Sequence, residues 1–561
     1  MAVVQIPNLP PAISLNGDEP VEIVQAGQSK RVGVQAIANL GVTISSTQVL
    51  SDISVLRTVF VVNDTTVFVE GYYSVGDGGG GYFYGVSGSP AGTYVDNGGT
   101  IILPNGGDGS SAWLRIVDGM YNVKWFGAKG DLSINDAVPI QKCVDAAAGI
   151  TIYAPVGQYR FDNSVTSTLP LNIVGDGNGA GPGSAVQSND NVTQFLMNYA
   201  NPTAFSVSSV YPSTFRNFQI NVWPTYRPAG NGAGINLTGV GTANTASSII
   251  DNVSFNWLFI GVKFNQAAYC RITNCYFGDW TYSAIYSDTS STTEASTGFI
   301  SHNFFFGSTN GSQSACIYLK NGYTIISENE ILGAQAGIRV NIANYSAGFI
   351  RIINNTIEEQ YLFGVYVDNI EDANDASMLD ISGNEFSAIS STTYLSSIFI
   401  GDTPNSIWLT DVSITNNTMR NLGSVGLGYI RLGAGKNVII QGNLFECIAG
   451  TTTLGIGVEG VSNNNCLASP ISVLDNSFIG TFTKQYEFYA VDGVGVLLRD
   501  QIPRTYAQIP GNCRNGSLIY VSDGKSAGLT YTAADQFVAS GGTGCVAIRT
   551  RGFWLTTGPF S

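Results

Sequence analysis

Histidine occurs once in 561 residues, at position 302, which removes chemistry built on clustered imidazoles. Eight cysteines are scattered with no C-x-x-C pair. Without histidines to complete a tetrahedral set, zinc is disfavoured, and the thiols are expected to serve as small buried hydrophobes. Charged residues make up only 12%, about half the usual share, which argues against helical bundles and charge-rich disorder. No run of 18 or more apolar residues exists, so no membrane-spanning helix is expected. The net charge of −15 disfavours nucleic acid and anionic membranes as partners. Residues 1–10 lack the basic and apolar regions of a secretory signal, so synthesis and folding in a cytoplasm are expected.

What is abundant is glycine, 67 residues, together with Asn, Ser and Thr. That composition suits many short strands joined by tight turns, where Gly and Asn supply positive φ. Ten segments repeat one phrase: an apolar residue, two others, a pivot, a spacer and a second apolar residue. In seven the pivot is asparagine: Asn303, Asn329, Asn355, Asn384, Asn417, Asn443 and Asn476. Three earlier copies carry Phe218, Val253 and Cys275 there, with Asn217, Asn252 and Asn274 one place before. Pivots lie 22 to 35 residues apart, a period that means stacked repeats. The apolar pairs, such as Ile300 and Phe305 or Ile381 and Phe386, should point inward. The pivot asparagines should bond the coils above and below in a ladder.

The rest of the chain divides by composition. Residues 1–45 read as a small unit with strands at 21–24 and 30–34 and a short helix at 34–40. A second small unit covers 46–118 and contains Gly76-Asp77-Gly78-Gly79-Gly80-Gly81-Tyr82-Phe83-Tyr84. That glycine run opens a strand and lacks the Lys-Ser/Thr ending, so it reads as a turn rather than a phosphate loop. Repeats fill 119–496, and a C-terminal β-module is expected at 497–561.

The segment Phe126-Gly127-Ala128-Lys129-Gly130-Asp131 precedes a helix expected at 137–148 and capped by Asp136, with Pro139 in its first turn. Its apolar face is Val138, Ile140, Cys143, Val144 and Ala147. A strand follows through Pro155-Val156-Gly157-Gln158-Tyr159. Together these resemble the start of pectate-lyase-like β-helices as used in bacteriophage tailspikes, with Asn135 and Asp136 where that family usually has paired aspartates. The L-N-G-D-E stretch and the G-D-G-G-G-G-Y-F run resemble virion-attachment and head segments of phage tail proteins. I-Y-V-S-D-G, G-G-T-G-C-V-A and the closing G-F-W-L resemble small C-terminal modules of phage spikes. The resemblance implies an all-β, right-handed parallel β-helix in a homotrimer. It also implies attachment to a tail or baseplate protein through the N-terminus, residence in the virion, and a bacterial surface polysaccharide as ligand. It transfers no catalytic residue.

A second strand per coil follows the pivot strand. Its outward residues form one column, Tyr286, Tyr318, Arg339, Tyr366, Phe399 and Arg431. Aromatic faces with charged donors suit sugars, and equally suit packing against sister subunits. Hydrolysis of a glycosidic bond generally needs two carboxyl groups at a set separation. Glu359, Asp368 and Glu358 share a coil beside the column and are the first candidates. Glu330 and Glu385, in the same slot two coils apart, are the second. Asp368, Glu371, Asp372 and Asp375 match no calcium-loop spacing, and His302 beside the ladder reads as structural. No metal or cofactor is expected. The reading is a polysaccharide-depolymerising spike acting by hydrolysis. A lyase acting on an acidic glycan and a non-catalytic receptor-binding spike are the alternatives.

Overall fold

The structure is a computed structural model and describes residues 20–25, 28–33, 47–179, 191–200, 203–223, 232–240, 245–265, 267–287, 298–307, 314–320, 323–343, 348–371, 377–388, 394–401, 410–421, 428–433, 435–448, 452–458, 467–488, 496–504, 518–521, 545–550 and 553–559. Strands Pro20–Gln25 and Gln28–Gly33 form an antiparallel hairpin near both predicted positions. The short helix expected at 34–40 lies outside the described residues.

A five-stranded sheet follows, in the order Gln48–Leu50, Thr66–Val69, Gly81–Val86, Ala112–Arg115 and Ile101–Ile102. Its core is Leu50, Ile53, Leu56, Val67, Val69, Phe83, Ile102 and Trp113. The glycine run is a turn organised by Asp77, whose carboxylate accepts from the backbone N–H groups of Tyr72, Tyr73, Ser74 and Gly79 at 2.7–3.1 Å. Burial opposes the charge, yet these four donors hold the carboxyl below its usual range. A Cβ on Gly80 would lie 2.4 Å from the Val69 carbonyl oxygen, which explains why no larger residue fits there.

Arg115 fastens this sheet to the start of the β-helix. Its guanidinium donates to the carbonyls of Gly99, Gly80 and Gly79 at 2.9, 2.6 and 2.9 Å. It also lies 4.4 Å from the Phe83 ring centre and 4.8 Å from that of Trp125. Burial brings its pKa down to about 9.

The predicted helix is present as Ala137–Ala147. Its details differ from the sequence reading in two ways. Val138 is exposed while Pro139 is buried. Asp136 holds the cap position but makes no capping hydrogen bond; instead its carboxylate accepts from the N–H groups of Lys129 and Gly130 at 2.6 and 3.1 Å. The Asn135 side chain takes over, accepting from Ala137 N at 3.2 Å and Asp162 N at 3.0 Å. Burial pushes the Asp136 carboxyl up to about 6 despite its donors.

Beyond the helix the chain winds as a parallel β-helix, the architecture the repeat implies. Each repeat coil supplies a first strand, a turn at the pivot, a second strand, a corner and a third strand. First and second strands lie in one 27-stranded sheet, and third strands form a 12-stranded sheet from Val165–Ser167 to Phe482–Phe488, parallel throughout. Ile272, Ile300, Ile326, Ile352, Ile381, Ile414 and Ile440 are in register on successive coils and fully buried. Phe255, Phe277 and Phe305 stack at 4.8 Å between ring centres, which is the rung spacing of a sheet. The stack continues through strand Val496–Arg504, which pairs in parallel with Leu467–Leu474 and buries Leu498.

The asparagine ladder runs unbroken from Asn303 to Asn476. Each Nδ2 donates to the Oδ1 of the next coil's asparagine at 2.9–3.0 Å. Each such Oδ1 also accepts the backbone N–H of the coil before it. The residue just before each pivot is left-handed in all ten coils, with φ from 52° at Asp475 to 68° at Gly383 and Gly442. That requirement explains why this place carries Asn, Gly or Asp most often. The five cysteines whose side chains are described, Cys143, Cys270, Cys275, Cys316 and Cys447, are all buried in or against the core. Among the described residues no helix is long and apolar enough to cross a membrane.

Candidate functional site

The third-strand column forms in register: Tyr286 opposite Tyr318, then Arg339, Tyr366, Phe399 and Arg431. Lys263 extends it by one coil. The same template in Ile260-Gly261-Val262-Lys263 would have revealed it, because Val262 points inward and Lys263 outward. Facing outward does not make these side chains open to solvent. Tyr286 and Tyr318 are 8% and 5% exposed, packed with Ile260, Ala315 and the neighbouring rings of Phe259 and Tyr282. Arg339 lies between two rings, 4.7 Å from Tyr318 and 5.5 Å from Tyr366. Tyr366, Arg339, Phe399 and Arg431 stay half-buried, so the lower part of the column is the accessible part. Phe363 stacks on Tyr366 at 4.6 Å and was not singled out by the column rule, since it stands at the strand's first residue.

The acidic candidates separate between the two sheets. Glu330 pairs with Thr356 and Thr356 with Glu385, so these two glutamates share a column two rungs apart on the second strands. Glu358 stands on the rung between them, two residues further along. All three face outward, because Ile331, Ile357 and Phe386 fill the core from the intervening places. Burial, then the negative charges of Glu385, Glu330 and Glu359, raises the Glu358 pKa. Arg420, three rungs from Glu330's, binds both Glu385 and Glu446; its Nε is 2.6 Å from Glu446 Oε2. Counting from the pivots puts Arg420 and Glu446 in one slot, whereas the reach of Arg420 to Glu385, in a different slot one coil away, depends on how the side chains pack.

Glu359 occupies the corner after the second strand with φ 58°. Asp368 lies on a third strand, in the other sheet, paired with Asn341, and Glu371 ends that strand; the side chains of both, together with Asp372 and Asp375, lie outside the described residues. His302 and Glu328 are left-handed turn residues on neighbouring coils, joined Nε2 to Oε2 at 2.5 Å on the exposed surface. The turn and the pair account for the placement of both side chains.

A family model described as the phage tail protein small four-stranded β-sheet domain matches residues 49–118. One described as rhamnogalacturonase A/epimerase, pectate lyase-like, matches residues 120–358. The fifth strand of the head sheet, Ile101–Ile102, is only two residues long, which fits a four-stranded description. Similar solved structures include tailspike protein 2 of Escherichia coli O157:H7 bacteriophage CAB120, at 14% identity, TM-score 0.45 and 87% of this chain. This chain spans only 58% of that protein's length. The tailspike of Acinetobacter baumannii phage AM24 matches at 18% identity and TM-score 0.44, covering 84% of this chain and 69% of the other. The mannuronan C-5 epimerase A-module of Azotobacter vinelandii matches at 18% identity and TM-score 0.45, covering 67% and 99%. On the family models, residues 49–118 are similar to a phage tail β-sheet domain and residues 120–358 are similar to pectate-lyase-like proteins of the rhamnogalacturonase/epimerase type.

Proposed function

We propose that this protein is a phage tailspike that binds a bacterial surface polysaccharide and cleaves it by hydrolysis on the outer face of the second strands. The observation that carries this reading is the placement of Glu330, Glu358 and Glu385 on three successive rungs, all facing outward. Glu358, whose pKa is raised by burial and by its acidic neighbours, is assigned the general-acid role. Arg420 engages Glu385, which leaves Glu330 as the carboxylate that takes a proton from the attacking water. Glu330 and Glu358 lie one rung apart and two residues along, so their backbones are ~8 Å apart from strand geometry. That separation favours inversion, for which carboxyl groups stand about 6.5–9.5 Å apart. Glu359 and Asp368 have no assigned step, one turned into a corner and the other on the second sheet.

The glycan would extend toward Arg339, Tyr366, Phe399 and Arg431, whose rings and guanidiniums suit sugar faces and hydroxyls. The spike assembles as a homotrimer through the first-strand face, where Phe299, Met378 and Ile439 are each more than 40% exposed. Its N-terminal residues attach it to the phage tail. The test is incubation with purified host polysaccharides and mass spectrometry of the products. Plain reducing ends on release support hydrolysis; unsaturated ends would establish elimination, and intact polymer with retained binding would establish a non-catalytic receptor.

A further inference from the structure

The outer face of the second strands changes character along the rod. Below lie the glutamates. From two to four rungs above Glu330 the same two columns are uncharged: Tyr276, Ser254 and Gln219 in one, Gly278, Asn256 and Asn221 in the other. Alternation points them outward, since Ile220, Phe255 and Phe277 fill the core between them. They are nevertheless buried, from 0% exposure at Ser254 to 6% at Tyr276. Five of their polar atoms have no hydrogen-bond partner: both side-chain heteroatoms of Asn221, Ser254 Oγ, Asn256 Nδ2 and Tyr276 Oη.

Buried polar groups in folded proteins are almost always satisfied, so five orphans on adjacent rungs call for a missing partner. The groups converge. A Cβ placed on Gly278 would lie 2.7 Å from Asn256 Oδ1 and 3.2 Å from Tyr276 Oη. The missing side chain at Gly278 is what lets both polar side chains approach the same point. One wall is aromatic, the Tyr276 ring stacking on Phe304 with 5.6 Å between centres and 8° between planes. Every side chain of the patch is uncharged, and Asp279 lies close enough to Tyr276 to raise its pKa after burial has done so, which disfavours an anion.

We propose that Asn221, Ser254, Asn256 and Tyr276 form a binding site for an uncharged sugar ring of a glycan, separate from the carboxylates and on the same face of the rod. A pyranose supplies alternating donors and acceptors for the orphaned atoms and an apolar face for the aromatic wall. From Tyr276 to Glu330 is two rungs, ~10 Å, so a chain bound here would lead directly to the acids. That continuation rests on the hydrolase reading; the site itself does not. The orphaned atoms are each sealed from solvent in the unliganded protein, so ring uptake requires a local opening.

The test uses the full chain with neutral oligosaccharides (dextran-, mannan- and galactan-derived) and, for contrast, oligogalacturonate, followed by saturation-transfer NMR and calorimetry. Wild type should bind a neutral probe and not the uronate. Tyr276→Phe and Asn221→Leu should each weaken binding about three- to tenfold, the worth of one or two neutral hydrogen bonds. Both should leave the melting temperature unchanged or higher, because each removes an orphaned group. Binding unchanged in both variants, a lowered melting temperature with unchanged binding, or a crystal structure with saturating probe showing ordered water only would overturn the site. If Glu358→Gln abolishes cleavage while the patch variants bind normally, this inference fails and the hydrolase reading stands. If the probe occupies the patch and no glycan is cleaved, the hydrolase reading fails and the site stands.

Discussion

Asn355 sits in the middle of the ladder, so its truncation tests how the stack is held. Its Oδ1 accepts from the backbone N–H and Nδ2 of Asn329 at 3.0 and 2.9 Å. Its Nδ2 reaches Asn384 Oδ1, Ile326 O and Ile353 O at 3.0, 2.9 and 3.1 Å. Asn355→Ala strips the Asn329 N–H of its partner at a place 1–2% exposed, where water does not substitute. One orphaned donor costs about 1–3 kcal/mol and each of the other lost bonds about 0.5–1.5 kcal/mol. The total is on the order of 4 kcal/mol. Contacts of this kind that form after the folding barrier appear in the unfolding rate, which would rise about 10³-fold. Circular dichroism after a jump into denaturant measures that rate, and it is the proper quantity if unfolding proves irreversible. Glu328→Gly, one residue before a pivot, is the internal control. It relieves a left-handed glutamate and removes only a surface pair, so stability should stay within about 1 kcal/mol of wild type or rise. If Asn355→Ala also stays within 1 kcal/mol, the ladder is not what secures the coils.

Glu358→Gln should lower cleavage by about 10²–10⁴-fold with unchanged circular dichroism. Because Glu358 must be protonated, activity should fall as pH rises through its raised pKa; Glu385→Gln removes a neighbouring negative charge and should move that limb to lower pH in a rate profile. Burial pushes the Asp136 carboxyl up to about 6, above the ordinary aspartate range near 4. A raised folded pKa means its contribution is full below about 4 and lost by about 6, so the stability difference between wild type and Asp136→Asn should change by up to ~3 kcal/mol across that window in melts at several pH values. Arg115→Met leaves three glycine carbonyls without their donor. It should cost about 3–5 kcal/mol and speed amide exchange in 79–99 relative to the coils. Phe299→Asp places a charge on the exposed first-strand face; light scattering should show loss of the trimer, and an unchanged mass would remove that face from the interface.

The repeat phrase carried the fold because a β-helix is local in sequence and periodic in space. Ile300 and Phe305 had to face inward, Asn303 had to find Asn329, and the third-strand residues from Tyr286 to Arg431 had to line up, since every coil repeats one register. The capping of the helix was less legible. Asp136 stands at the right place, yet the F-G-A-K-G loop folds back to claim its carboxylate, and only packing decides which donors arrive. The candidate site divides the same way. Glu330 and Glu385 could be placed in one slot by counting from their pivots, whereas Asp368 fell on another sheet because the corner at Glu359 turns the chain between them. Exposure was not legible at all: Tyr286 and Tyr318 face outward by alternation and are buried by each other, by Tyr282 at the adjoining corner and by residues of the neighbouring coil such as Ile260. Periodicity determines which way a side chain points; what meets it there, the Arg420 bridge, the aromatic cover or the unpartnered Asn221, is settled only when coils and corners assemble.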